Sequence, residues 1–275
     1  MNTKRTGDIG VLLVGHGTRS SVGTAQFLEL ADQLARRVAP IKLEPAFLEI
    51  QQPGIAVAVE RLLARSIERL MVLPLLLFAA GHAKRDIPQA VASALAACGR
   101  AELPWVQAAH LGCHPAILTL SSRRMAEALV DRTAIPTEES CLLLVGRGSP
   151  DITATAEMQE FARLRQRQEG GLRTEVAFLA MARPLLAEKL KQLAAANYRR
   201  VIVQPHLLFE GDLADSLRQQ VGRTAKIHPE KEWLVAPLLD DSLGKAGYGT
   251  AMLIDAIQAR CHEAGIPVVV VGGGG

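Results

Sequence analysis

Aromatic side chains are scarce in this chain, only 4% of its 275 residues, and nowhere do they alternate with basic residues. A nucleic-acid-binding platform is therefore not expected. Cysteine is scarce too. Cys98, Cys113, Cys141 and Cys261 lie far apart without a Cys-x-x-Cys pair, which argues against both a disulfide framework and a structural zinc site. Long apolar runs are missing as well. Met1–Arg5 leads only into the short run Ile9–Val14, so neither a signal peptide nor a transmembrane span is expected and a cytoplasmic location is the default. No Gly-x-x-x-x-Gly-Lys loop is present to cradle a nucleotide. The net charge of +3 is too small to point to a partner by itself.

What is abundant is apolar residues, at 49% against 21% charged, which excludes a disordered chain and suits two domains of ordinary size. The two domains are related by duplication. Adding 131 carries Gly15–Gly17 onto Gly146–Gly148, Phe47 onto Phe178, Pro53 onto Pro184, Pro74 onto Pro205 and Phe78 onto Phe209. The copies differ where chemistry would sit. Gly15-His16-Gly17 and Phe47-Leu48-Glu49 face Gly146-Arg147-Gly148 and Phe178-Leu179-Ala180. A His and a Glu in one copy alone imply a single active site.

Within each copy, short apolar runs alternate with helical periodicities. Ile9–Val14, Leu43–Leu48, Leu70–Leu76 and Trp105–Ala109 read as buried strands. Between them lie a helix with Phe27, Leu30, Ala31, Leu34 and Val38 on one stripe and another with Ile55, Val59 and Leu62 inward. A helix begun by Ile87-Pro88 and one from Pro115 to Val130 complete the copy, with Phe78–Asp86 as a loop. After a polar linker, 131–140, the order resumes: strands Cys141–Val145, Glu175–Leu179, Arg200–Val203 and Trp233–Ala236. Its helices start at Ile152, carry Leu186, Leu190 and Leu193, and end with one at 250–264. The expected fold is α/β: two tandem, pseudo-twofold-related domains, each a parallel sheet flanked by helices. The expected boundaries are 1–130 for the N-terminal catalytic domain and 141–271 for the degenerate C-terminal one, with 272–275 as a flexible glycine tail.

In such sheets ligands bind beyond the carboxyl ends of the strands. His16 follows the first strand, Glu49 ends the second, and His82 lies in the loop after the third, so all three are expected on one rim. Taken singly, each reads more readily as a solvated loop residue or helix cap than as a ligand. Together they form a donor set suited to a mid-to-late first-row divalent metal, and none recurs in the second copy.

These residues resemble the sirohydrochlorin chelatase family, the class II, ATP-independent chelatases of cobalamin and sirohaem biosynthesis. The resemblance rests on Leu13–Ser20, on Phe47-Leu48-Glu49 with Pro53, and on Val72–Phe78 leading to Gly81-His82. It continues through Gln204–Phe209, which looks like the long, two-domain form. The resemblance implies insertion of Co2+ or Fe2+ into sirohydrochlorin, with His16 and His82 holding the metal and Glu49 assisting as ligand or proton acceptor. The metal is then substrate, and no permanently bound cofactor is implied. Because the macrocycle is a polycarboxylate, Arg19, Lys84, Arg85 and Arg147 are candidate substrate-binding residues, Arg147 standing where His16 stands in the first copy. Each of these also reads as a plain surface charge. His206 aligns with Leu75, not His82, and is read either as a macrocycle contact or as a buried His. His110, Cys113 and His114 cluster without a standard zinc spacing, and His114-Pro115 reads as a helix entrance. The fused duplication favours a monomer, an internal pseudo-dimer, without nucleic-acid or membrane partners.

Two alternatives stand beside the chelatase. A non-catalytic two-lobed metal or tetrapyrrole binder accounts for the duplication. A histidine phosphatase shares the strand-Gly-His-Gly-Thr pattern but places an Arg where this chain has Gly15.

Overall fold

The computed structural model describes residues 9–78, 81–240 and 248–265, leaving aside the side chains of residues 82 and 83. The expected tail at 272–275 and the N-terminal Met1–Arg5 fall outside the described residues.

The first sheet comprises β1 (Ile9–Gly15), β2 (Lys42–Phe47), β3 (Arg69–Pro74) and β4 (Trp105–Gln107), all parallel in the order β2-β1-β3-β4. The second comprises β5 (Ser140–Gly146), β6 (Arg173–Phe178), β7 (Arg200–Pro205) and β8 (Glu232–Val235), ordered β6-β5-β7-β8. The central strands β1 and β5 are buried along their whole length, as continuous apolar runs covered on both faces should be. The parallel α/β expectation is therefore met. The 131-residue offset holds for β1–β3 against β5–β7 and for α2 (Ile55–Ala64) against α6 (Leu186–Ala195).

Leu12, Val14 and Val72 pack with Ile55, Val59, Leu62 and Val91 to form the core under α2 and α3 (Ile87–Ala97). Leu143, Val145 and Val203 do the same with Leu186, Leu190, Leu193, Leu217 and Val221 under α6 and α7 (Asp212–Ile227). The other faces carry α1 (Ser21–Val38) and α5 (Ile152–Gln168).

Two features depart from the sequence reading. The interval between β7 and β8 holds α7, a full helix absent from the expected element list. Its apolar residues Ala214, Leu217 and Val221 are spaced three and four apart among polar neighbours. The second concerns the helices that close each repeat. α4 (Pro115–Ala128) packs on α5 and β7, while α8 (Tyr248–Glu263) packs on α1 and β3. The compact units are Met1–Leu111 with Ser242–Gly275, and Gly112–Asp241. Each repeat thus gives its last helix to the other unit. Arg124 on α4 donates to the Leu239 carbonyl (Nη2, 3.0 Å), and Arg260 on α8 donates to the Leu111 carbonyl (Nη2, 2.9 Å).

α4 joins the second unit through a buried polar cluster. Ser121, Arg165 and Gln204 are fully buried. Arg165 donates from Nε to Ser121 Oγ (3.0 Å) and pairs with Glu169, while Gln204 Nε2 donates to the Ser121 carbonyl (2.7 Å) and Oγ (3.1 Å). Paired in this way, a guanidinium can remain in the interior, although burial still lowers its pKa against the pull of Glu169. No helix among the described residues is long and apolar enough to cross a membrane.

Candidate functional site

The strand-end loop of β1 is built by backbone contacts that few side chains could replace. Gly15 accepts from the Leu48 N–H (2.9 Å) and His16 accepts from the Glu49 N–H (3.0 Å), so the two loops continue the β1–β2 ladder past its end. Gly17 has φ +98°, and a Cβ there would lie 2.0 Å from the Glu49 carbonyl oxygen. Only glycine fits this crossing. Thr18 Oγ1 then accepts from the Ser20 N–H (3.1 Å), and Ser20 Oγ caps α1 by accepting from the Gly23 N–H (3.1 Å).

The Glu49 loop is equally determined. Gln51 N–H donates to the Glu49 carbonyl (2.7 Å) across Ile50, whose φ is +69°, a γ-turn of the rare positive-φ kind. The Phe47 N–H donates to the Pro53 carbonyl (2.9 Å), closing the loop behind it. Below lie the rings of Phe27 and Phe47, 4.7 Å apart, and Phe27 leaves Gly15 no room for a Cβ. The sequence's expected pair, His16 and Glu49, is therefore brought together at the carboxyl ends of neighbouring strands, Glu49 exposed and His16 half-buried.

His82 begins a five-residue π-helical turn, His82–Asp86, that runs directly into α3, where an open loop was expected. The turn follows β3, so His16, Glu49 and His82 come after three neighbouring strands, with His16 after the middle one. The β1/β3 boundary is the switch point at which open α/β sheets bind ligands. Among the described residues, the His82 side chain not being one of them, no group of three His, Cys, Asp or Glu side chains forms a metal-holding cluster. Lys84 and Arg85 of the same turn are exposed, with the Arg85 guanidinium folded back toward Gly81, and Arg19 is exposed beside Thr18.

The second unit repeats this scaffold closely. Leu179 donates to the Gly146 carbonyl (3.0 Å), Ala180 to that of Arg147 (2.9 Å) and Ala182 to that of Ala180 (2.7 Å), across Met181 at φ +59°. Gly148 has φ +93° and a Cβ site 1.8 Å from the Ala180 carbonyl oxygen. Arg147 is exposed on this loop. His206 is placed differently. It is 2% exposed, stacked on Phe161 (centroids 4.4 Å apart), and burial pushes its imidazole down to about 3, with the Arg165 charge adding to the effect. A macrocycle contact there would require the ring to leave this packing. His114 caps α4, its Nδ1 accepting from the Ala116 N–H (3.2 Å), as its place before Pro115 suggests.

The CbiX family matches residues 10–128 and 141–244, most of both repeats. The chain belongs to the CbiX family. A sirohydrochlorin ferrochelatase of Priestia megaterium is 31% identical over 212 residues, 77% of either chain. A sirohydrochlorin cobaltochelatase of the same organism is 26% identical over 229 residues, 82% of this chain and 72% of its own. SirB from Bacillus subtilis with Fe3+ superposes with a TM-score of 0.78 at 22% identity, over 95% of this chain and 99% of its own. The family match covers both repeats, so the second copy is a CbiX fold in its own right even without His16 and Glu49 counterparts.

The side chain that sequence reasoning missed is Gln51, whose amide Nε2 donates to the Thr18 carbonyl (2.8 Å) and ties the two loops together. The signal was present at the repeat offset, where residue 182 is Ala.

Proposed function

We propose that this protein inserts Co2+ or Fe2+ into sirohydrochlorin without nucleotide, as a chelatase of cobalamin or sirohaem biosynthesis. The observation that carries the reading is membership of the CbiX family over both repeats, with curated relatives named for both metals. Metallation strips two protons from pyrrole nitrogens as the cation leaves its protein ligands. In this reading His16 and His82 hold the metal on open positions and Glu49 serves as ligand or proton acceptor. Arg19, Lys84, Arg85 and Arg147 bind the substrate's carboxylates. His206, enclosed against Phe161, serves packing in the resting protein. Residues up to 130 supply the chemistry and the repeat from 141 onward supports it. The chain works as a monomer, since one polypeptide already carries both copies, and neither nucleic acid nor a membrane takes part.

The deciding experiment is anaerobic addition of Co2+ or Fe2+ to sirohydrochlorin, followed by absorbance, with and without the protein. Catalysed metallation by either ion is expected. Tight binding of metal or macrocycle at the uncatalysed rate would replace the chelatase with a two-lobed binder.

A further inference from the structure

We propose that Gln51 is a positioning residue, a side-chain clamp that holds the Glu49 turn in register with the His16 strand end. This rests on the reading of His16 and Glu49 as the metal-handling pair.

The clamp joins two separate loops. Its amide Nε2 donates to the Thr18 carbonyl (2.8 Å), two residues beyond His16, while its own backbone N–H closes the γ-turn onto Glu49 (2.7 Å). Ile50, between them, is a β-branched residue held at φ +69° and 59% exposed, a backbone state that must be imposed by its surroundings. The second unit shows what the fold alone requires. There the same turn forms over Met181 at φ +59°, and Ala180 is pinned to Arg147 by the same backbone hydrogen bond. Residue 182 is nonetheless Ala, with only a methyl group where Gln51 carries its amide. The turn therefore does not need the amide in order to fold. The amide occurs in the copy whose turn carries a carboxylate and whose strand end carries an imidazole.

Its task follows from chemistry. A metal moving from protein donors to macrocycle nitrogens needs His16 and Glu49 at a fixed separation, and small misplacements of reacting groups are costly. The backbone bond between them fixes their main chains. The Gln51 amide stops the Glu49 loop from pivoting about that bond.

The test compares Gln51→Met, which keeps length and bulk but cannot donate, with Gln51→Ala, the residue of the second repeat. Both should keep the wild-type melting temperature and apparent KM for sirohydrochlorin while kcat for cobalt insertion falls about tenfold. Cobalt affinity, titrated without the macrocycle, should fall with it. Unchanged kcat and cobalt affinity in Gln51→Met overturn the clamp. So does a raised KM with unaltered cobalt affinity, which would make Gln51 a substrate contact. His16→Ala and Glu49→Gln run alongside separate the two ideas. Wild-type rates in both sink the metal-handling pair itself, whereas losses there with a wild-type Gln51→Met sink the clamp alone.

Discussion

In the first repeat Leu34 of α1 and Leu73 and Leu75 at the end of β3 are buried, while the second repeat buries Arg165 of α5, Gln204 and His206 at the same three positions. At the strand ends the difference runs the other way, with His16 and Glu49 in the first repeat and Arg147 and Ala180 in the second. The backbone barely registers either change. Both glycines cross the neighbouring loop at φ near +95°, and both γ-turns close at 2.7 Å. Main-chain hydrogen bonds and a missing Cβ do not depend on which side chains surround them, so they persist while the side chains around them diverge.

The polar face also shows how each closing helix finds its sheet. α4 brings Ser121, which answers both Arg165 and Gln204. α8 brings Leu253, Ile254 and Ile257, which suit a face of leucines. Exchanging them would take Ser121 away from both, leaving the buried Arg165 guanidinium with Glu169 alone and the Gln204 amide without its Ser121 acceptors, a cost that discriminates between the two arrangements.

The comparison of strand ends is broken most directly at the donors. His16→Ala, Glu49→Gln and His82→Ala should each slow insertion by about 100-fold or more, the scale of lost acid–base or ligand participation, with the melting temperature unchanged. Wild-type turnover in all three would show that the first repeat's strand ends are not the site.

The shared scaffold is tested next. Gly17→Ala and Gly148→Ala should each destabilise the protein by about 2–4 kcal/mol in urea unfolding, because a methyl group at positive φ meets a carbonyl oxygen well inside contact distance. Cobalt affinity should collapse in the first variant only. Equal loss of affinity in both would mean that the two loops do not differ in function.

The buried imidazole offers a third test. His206 stays neutral in the folded chain down to about 3, whereas an unfolded His takes its proton near 6.5, so the unfolded state binds more protons between those values. Stability should therefore fall as pH drops through that window, with His206 contributing about 1.4 kcal/mol per pH unit. Arg165 on α5, with its partner Glu169, is the charge facing the ring. His206→Leu, the residue of the first repeat, should flatten the acid side of the stability curve relative to wild type. Curves that stay parallel would place the ring's titration elsewhere.

The smallest effect is expected at Arg147. Arg147→Ala should raise the apparent KM for sirohydrochlorin about threefold and weaken its dependence on added salt, leaving cobalt affinity intact. The same salt slope in both proteins would reduce Arg147 to a surface charge.

Much of this architecture was legible in the sequence because it depends on local pattern. Continuous apolar runs mark β1 and β5, and glycine, proline and phenylalanine recur at one offset wherever the backbone demands them. His16 and Glu49 were legible as the differences within that frame. The exchanged helices were not, since periodicity shows which face of a helix is apolar but not which sheet it covers. Nothing in the sequence marks Arg124 and Arg165 as buried, because burial of a guanidinium depends on acceptors brought from distant segments, here the Leu239 carbonyl and the Ser121 hydroxyl. α7 escaped because its stripe, Ala214, Leu217 and Val221, is narrow and set among charged residues. Gln51 carries no motif at all, and only its replacement by alanine in the twin marks it.

The exchange of closing helices bears on the order in which a nascent chain can finish. All of Gly112–Asp241 is synthesised before α8, so the second unit has its full complement of strands and helices first. The first sheet, although synthesised earliest and bearing His16 and Glu49, waits for the last helix to settle on α1 and β3. A message truncated just before Tyr248 would encode every residue proposed for metal and macrocycle, yet the sheet that carries His16 and Glu49 would lack one of its covers.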